Sequence, residues 1–143
     1  MSRRILKSIL LSPIILLFIL LSFKSNAATS VESLVDKFMS LTEIQQKSYA
    51  EKIEGSITVY GSGEIEDVAY PSWLDIYKEA KGYYRVVIKP QETSNGNLYD
   101  IVFLFKDLDK IKDFNKGDKI RKAGKLLKII NWGMWVSVWI LVE

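Results

Sequence analysis

Hydrophobic and polar positions change rhythm twice along the chain, and each rhythm predicts a different kind of segment. From Ile9 to Phe23 the residues are almost all apolar; Arg3, Arg4 and Lys7 precede the run, and Lys24, Ser25, Asn26, Ala27 and Ala28 follow it. That is the order of a charged region, an apolar region and a small-residue cleavage site, so residues 1–27 read as a secretory signal peptide cut after Ala27, with Ala28 as the neighbouring choice. The competing reading is an uncleaved inner-membrane anchor. A membrane span takes roughly 18 to 20 apolar residues, and Pro13 and the early Lys24 leave this run short. Ser2, Arg3 and Arg4 also resemble a twin-arginine signal, but the run is greasier than such leaders usually are.

The rhythm then becomes helical. Thr29 followed by Glu32 is a capping-box pattern ahead of Val31, Leu34, Val35, Phe38 and Met39, which predicts a helix over about Ser30 to Met39. Thr42 with Gln45 repeats the signature and leads into Glu43 to Ile53, with Gly55 as the stop. Residues 28–55 thus form a helical segment.

From Ser56 the period is two. Ile57, Val59, Gly61, Gly63 and Ile65 share one face and Ser56, Thr58, Tyr60, Ser62, Glu64 and Glu66 the other, a long half-buried strand with glycines placed for a sharp bend or bulge. The phase breaks at Asp67 and resumes at Val68. Tyr70 to Lys81 reads as a loop with one irregular turn. Gly82 to Lys89 is a β-rich stretch closed by Pro90, and Asn95-Gly96 is a turn signal. Leu98 to Phe105 is nearly continuous apolar strand interrupted by Asp100, which predicts burial on both faces. Leu108, Ile111 and Phe114 are spaced for a short helix within Lys106 to Phe114. Lys116-Gly117-Asp118 turns into a strand from Lys119 to about Ile130, and Asn131-Trp132-Gly133 turns into a last strand from Met134 to Val142.

The predicted architecture is mainly β with flanking helices: five strands with a helix between the third and fourth, which is the order of the OB-fold, a small Greek-key barrel, here over residues 56–143 and preceded by one or two helices packing on it. Val59-Tyr60-Gly61-Ser62-Gly63-Glu64-Ile65-Glu66-Asp67-Val68, and Asn115-Lys116-Gly117-Asp118-Lys119-Ile120 running to Gly124-Lys125-Leu126, carry a resemblance. The chain resembles the bacterial OB-fold family described as tRNA-anticodon-binding-like, many of whose members are exported proteins of unknown role. The resemblance implies a fold and a ligand surface, and it names no activity.

Composition narrows the chemistry. The chain has 143 residues, room for one domain. It contains no Cys and no His, which excludes disulfides, thiolate and imidazole metal sites, and Ser-His-Asp or Cys-His catalysis. The formal charge of +3 includes four leader cations; the remaining 16 basic and 17 acidic residues give −1, so a generally basic nucleic-acid binder is not indicated. Charge is uneven, with ten acids and four bases over Glu32–Glu79 against seven acids and twelve bases over Lys81–Glu143. Glu64, Glu66 and Asp67 form a tight acidic cluster that could serve a small carboxylate hydrolase, but a solvated strand face is the plainer account.

OB-folds engage ligands on their second and third strands and on the loops joining strands one to two and four to five. Mapped onto this chain, those regions nominate Tyr70, Trp73, Tyr77, Arg85, Lys125, Lys128 and Trp132 as ligand-binding residues, with Tyr83, Tyr84, Trp135 and Trp139 behind them. Aromatics beside bases suit stacking on sugars or nucleobases. The expectation is an exported, non-catalytic binding module without cofactor or metal, periplasmic or secreted, whose partner is an envelope protein or an extended polymer such as a glycan. Single-stranded nucleic-acid binding is an alternative, as is an inner-membrane-anchored exclusion or structural factor with membrane contact through an uncut leader.

Overall fold

The computed structural model describes residues 27–71 and 78–143. The leader up to Asn26 lies outside the described residues, and so does the stretch 72–77, which holds Trp73 and Tyr77.

Two helices precede a sheet. The first, α1 (Val31–Met39), buries Val31, Leu34, Val35 and Phe38, the i, i+3, i+4, i+7 positions of its apolar stripe. Its N-cap is Ser30, whose hydroxyl accepts from the Ser33 amide at 3.1 Å. Thr29 does not cap it as the Thr29–Glu32 pattern predicts. Thr29 and Ser30 form a two-residue strand, β1 (Thr29–Ser30), and that pairing leaves the next hydroxyl to do the capping. The second helix, α2 (Glu43–Ile53), has the reciprocal capping box: the Gln45 amide donates to Thr42 Oγ1 and the Thr42 amide to Gln45 Oε1.

The strands are β2 (Thr58–Ala69), β3 (Tyr84–Ile88), β4 (Gln91–Glu92), β5 (Leu98–Phe105), β6 (Lys119–Asn131) and β7 (Val136–Leu141). Five of them pair in a closed cycle, β2–β3–β5–β7–β6 and back to β2, in which only the β5–β7 pair is parallel. The cycle is irregular and not a regular barrel. The register shifts between Ile65 and Asp67 and again between Leu126 and Lys128, and both long strands divide their length between two partners. In β2 the change from β6 to β3 falls between Glu64 and Ile65, just beyond the glycines that predict a bend. Neither Gly61 nor Gly63 has a positive φ. Gly61 makes room: a Cβ there would sit 2.6 Å from Ile101 Cδ1 and 3.1 Å from Val31 Cγ2, so its bare backbone lets β5 and α1 approach.

The predicted helix between the third and fourth strands is absent. A single 3₁₀ turn, Leu108–Lys110, stands in its place. Local polar groups explain this: Asp107 Oδ1 accepts from the Asp109 amide and Asp118 Oδ2 from the Asn115 amide, offering the backbone alternatives to helical bonds. Ile111 is nonetheless buried and Phe114 packs edge-on against Phe105.

One core fills the cycle. Val59, Ile65, Val86, Ile88, Ile101, Phe103, Leu126, Val138 and Ile140 are fully buried inside it, and the apolar face of α1 joins them. Strand β5 is buried on both sides, as its sequence predicts: Tyr99, Ile101, Phe103 and Phe105 face the core, while Val102 and Leu104 lie on the outer face under Ala80. Helix α1 is tied to the turn between β4 and β5. The Asp36 carboxylate accepts from Thr93 Oγ1 (2.6 Å), Asn97 Nδ2 (2.8 Å) and Asn95 Nδ2 (2.9 Å), and Glu32 accepts from the Ser94 amide. Gly96 (φ +85°) supplies the left-handed residue that this Asn-Gly turn needs. Among the described residues no helix is long and apolar enough to cross a membrane.

Candidate binding face

The outward side chains of β3, β5, β7 and β6 line up in rows, because directly paired residues point the same way. One row is Arg85, Leu104, Leu141, Lys125, and the next is Val87, Val102, Trp139, Lys128. A third holds Asp100, Ser137 and Ile130. The chain segment around Ala80 covers the middle of the first two rows, Leu104 and Leu141 in one and Val102 and Trp139 in the other. Lys128 is engaged there on both sides, 3.5 Å from Glu79 and 3.7 Å from Glu54, so it clamps α2 and this segment onto β6. Burial pushes the Glu54 carboxyl above its ordinary range, and the Lys128 charge only partly reverses that.

The third row is polar beneath an aromatic edge. Ser137 is buried, and Trp132 Nε1 donates to its hydroxyl at 2.9 Å. The Asp100 carboxyl is held above the usual range chiefly by burial. Hydrogen bonding to Ser137 opposes the rise, the Glu66 charge adds to it, and Trp135 contributes a further opposing hydrogen bond. Its Oδ1 is buried without a hydrogen-bond partner. The Trp132 indole is therefore tethered to the sheet by a polar contact. The Trp132 and Trp135 rings lie 6.4 Å apart, inclined by 35°, and the residues stay 46% and 43% exposed. Leu98 and Met134 are the other exposed apolar residues at this end of the strands.

The nominated residues do not form one cluster. Strands β2, β5 and β7 run one way and β3 and β6 the other, so Tyr70, just past the end of β2, and Trp132, just past the end of β6, lie at opposite ends. Six residues of β7 set that separation at about 20 Å. Tyr70 is exposed beside Tyr84, ring centroids 6.0 Å apart, over a cleft of about 280 Å³ lined by Val68, Leu108, Ile111 and Phe114. Arg85 lies on β3 in the first row, and Lys125 is exposed where β6 meets both β2 and β7. Trp73 and Tyr77 lie outside the described residues.

Asp100 and Ser137 are absent from the nominated set, and Trp135 stands only behind it. Asp100 had a legible signal, being the one charge inside an otherwise apolar strand; Ser137 had none. Glu64 is drawn to Lys89, 2.6 Å away, and not to Glu66. Among the described residues no group of three or more acids is disposed to hold a metal.

Compared with known proteins, the chain matches no family model, no curated protein and no solved structure.

Proposed function

We propose that this chain is a non-catalytic binding module of OB-fold type that works outside the cytoplasm and holds an extended polymer, a glycan above all, on the Trp132–Trp135 edge. The pairing order supports the OB-fold reading: in ring-strand numbering the cycle runs first, second, third, fifth, fourth and back to first, with third and fifth parallel. The residues 59–68 and 115–126, read as resembling the tRNA-anticodon-binding-like family, point the same way, as does the leader for export.

One observation carries the ligand reading. Two neighbouring indoles stay nearly half exposed, and the first is fixed by its Nε1 hydrogen bond to the buried Ser137 hydroxyl. A ring fixed in advance loses little freedom on binding, and this is what stacking on sugar rings requires. Titrating tryptophan fluorescence with soluble glycan fragments tests it. Trp135→Ala weakens glycan affinity roughly tenfold, the lower part of what one stacked ring contributes. Glycan-insensitive fluorescence removes the glycan reading. An affinity for single-stranded oligonucleotides that falls steeply with salt replaces it with nucleic-acid binding.

The second reading, an envelope-protein partner, is favoured by Met134, 82% exposed beside the two rings, and by Leu98, which together extend the aromatic edge into an apolar patch. Crosslinking in cells followed by identification of the attached protein tests that reading. Intact mass of the protein recovered from its host decides between a cut leader and the membrane-anchored alternative.

A further inference from the structure

Between Lys119 and Val142 the chain carries five basic residues and no acidic one. Pairing with β2 sorts the basic residues of β6 by face. Lys119 stands opposite Glu64, Arg121 opposite Ser62 and Lys125 opposite Thr58, all on the side turned away from the core. All three are exposed, and among the described residues none has an ion-pair partner.

The neighbouring acids are otherwise engaged. Glu64 binds Lys89 at 2.6 Å, Asp67 is 3.8 Å from Lys116, and Glu32 accepts from the Ser94 amide. Asp118 accepts from the Asn115 amide. Arg121 lies with its guanidinium 4.8 Å from the centre of the Tyr60 ring, which holds the charge against the sheet. Lys119 to Lys125 covers six strand intervals, so the row runs about 20 Å along one face.

We propose that the outer β2–β6 face docks on the anionic surface of a lipid bilayer. Two observations favour a bilayer over a nucleic acid. Stacking of bases needs open aromatic rings among the cations, and on this face Tyr60 is occupied by Arg121 while its other neighbours, Thr58, Ser62 and Ala123, are small. A row of cations with small neighbours suits headgroup charges, which present no sequence to read.

Each cation brought to an anionic leaflet strengthens attachment about fivefold, and three together about a hundredfold, an effect that salt removes. The test reconstitutes the full chain into vesicles of phosphatidylcholine alone or with about 30 mol% phosphatidylglycerol. Amine acetylation of each lysine is followed by mass spectrometry. Lys119 and Lys125 label about fivefold more slowly on the anionic vesicles in about 0.1 M salt, and the difference disappears near 1 M. Lys47 and Lys52 on α2 label alike on both vesicle types. In Arg121→Glu, with an unchanged circular dichroism spectrum, the protection of Lys119 and Lys125 falls away. Equal labelling of the wild-type chain on both vesicle types overturns the proposal. So does protection by a single-stranded oligonucleotide with none by vesicles, which assigns the face to a polynucleotide.

Discussion

Two carboxyl groups of this protein respond to their surroundings in opposite directions. Asp36 is held below the ordinary carboxylate range, first by the Thr93 hydroxyl and then by Asn97, with Asn95 adding less. A carboxyl that binds its proton less tightly when folded contributes stability above its unfolded pKa, and that contribution is lost as pH falls through the folded value. Asp36→Ala therefore lowers Tm at neutral pH, and the difference from wild type narrows on acidification. Asp100 is raised, chiefly by burial, so its sign is reversed: the ionised form is penalised in the fold, and the penalty grows as pH rises through the folded pKa. Asp100→Asn raises Tm at neutral pH relative to wild type, and the gain disappears in acid. Thermal melts of both variants across the acid-to-neutral range check the two signs together.

Single elements depend on local chemistry to different degrees. Helix α2 buries only Gln46, Ala50 and Ile53, so it draws little from packing. It relies on its capping box and on Gln46, whose amide donates to the Leu41 carbonyl and accepts from Asn131. Thr42→Ala costs about 1 kcal/mol, and hydrogen exchange shows the loss in the first turn of α2. Strand β6 depends on an absence. A Cβ at Gly124 would collide with the Leu141 carbonyl oxygen, which belongs to a paired strand and cannot rotate away as a side chain can. Gly124→Ala destabilises by about 2–3 kcal/mol in denaturant titration.

For the molecule as a whole, closure is the central fact. Strand β6 holds β2 along its first half and β7 along its second, joining segments about sixty residues apart in the chain. The core inside this cycle is shared by every one of its strands, so damage at its centre is felt throughout. Phe103→Ala costs about 3–5 kcal/mol and leaves unfolding a single cooperative transition, as coincident fluorescence and circular dichroism curves will report.

Much of this was legible residue by residue. The period-two pattern from Ile57 to Ile65, the Asn95-Gly96 turn, the Thr42–Gln45 box and the two-sided burial of β5 all follow from chemistry acting over a few residues. The short helix around Leu108 was misread because its apolar spacing is real while its polar residues divert the backbone. The candidate site was harder to read. Tyr70 and Trp132 both look like loop aromatics, yet strand direction puts them at opposite ends. Lys128 looks like a free cation until Glu54 and Glu79 meet it.

By itself, then, the sequence determined where the five long strands and the two leading helices lie and which faces are apolar, since alternation, caps and turns act locally. Tertiary structure decided that β5 pairs in parallel with β7, that β6 closes on β2, and that Asp100 and Ser137 meet under two tryptophans. Those contacts join residues far apart along the chain, and their geometry is set by the joint packing of every strand in the ring.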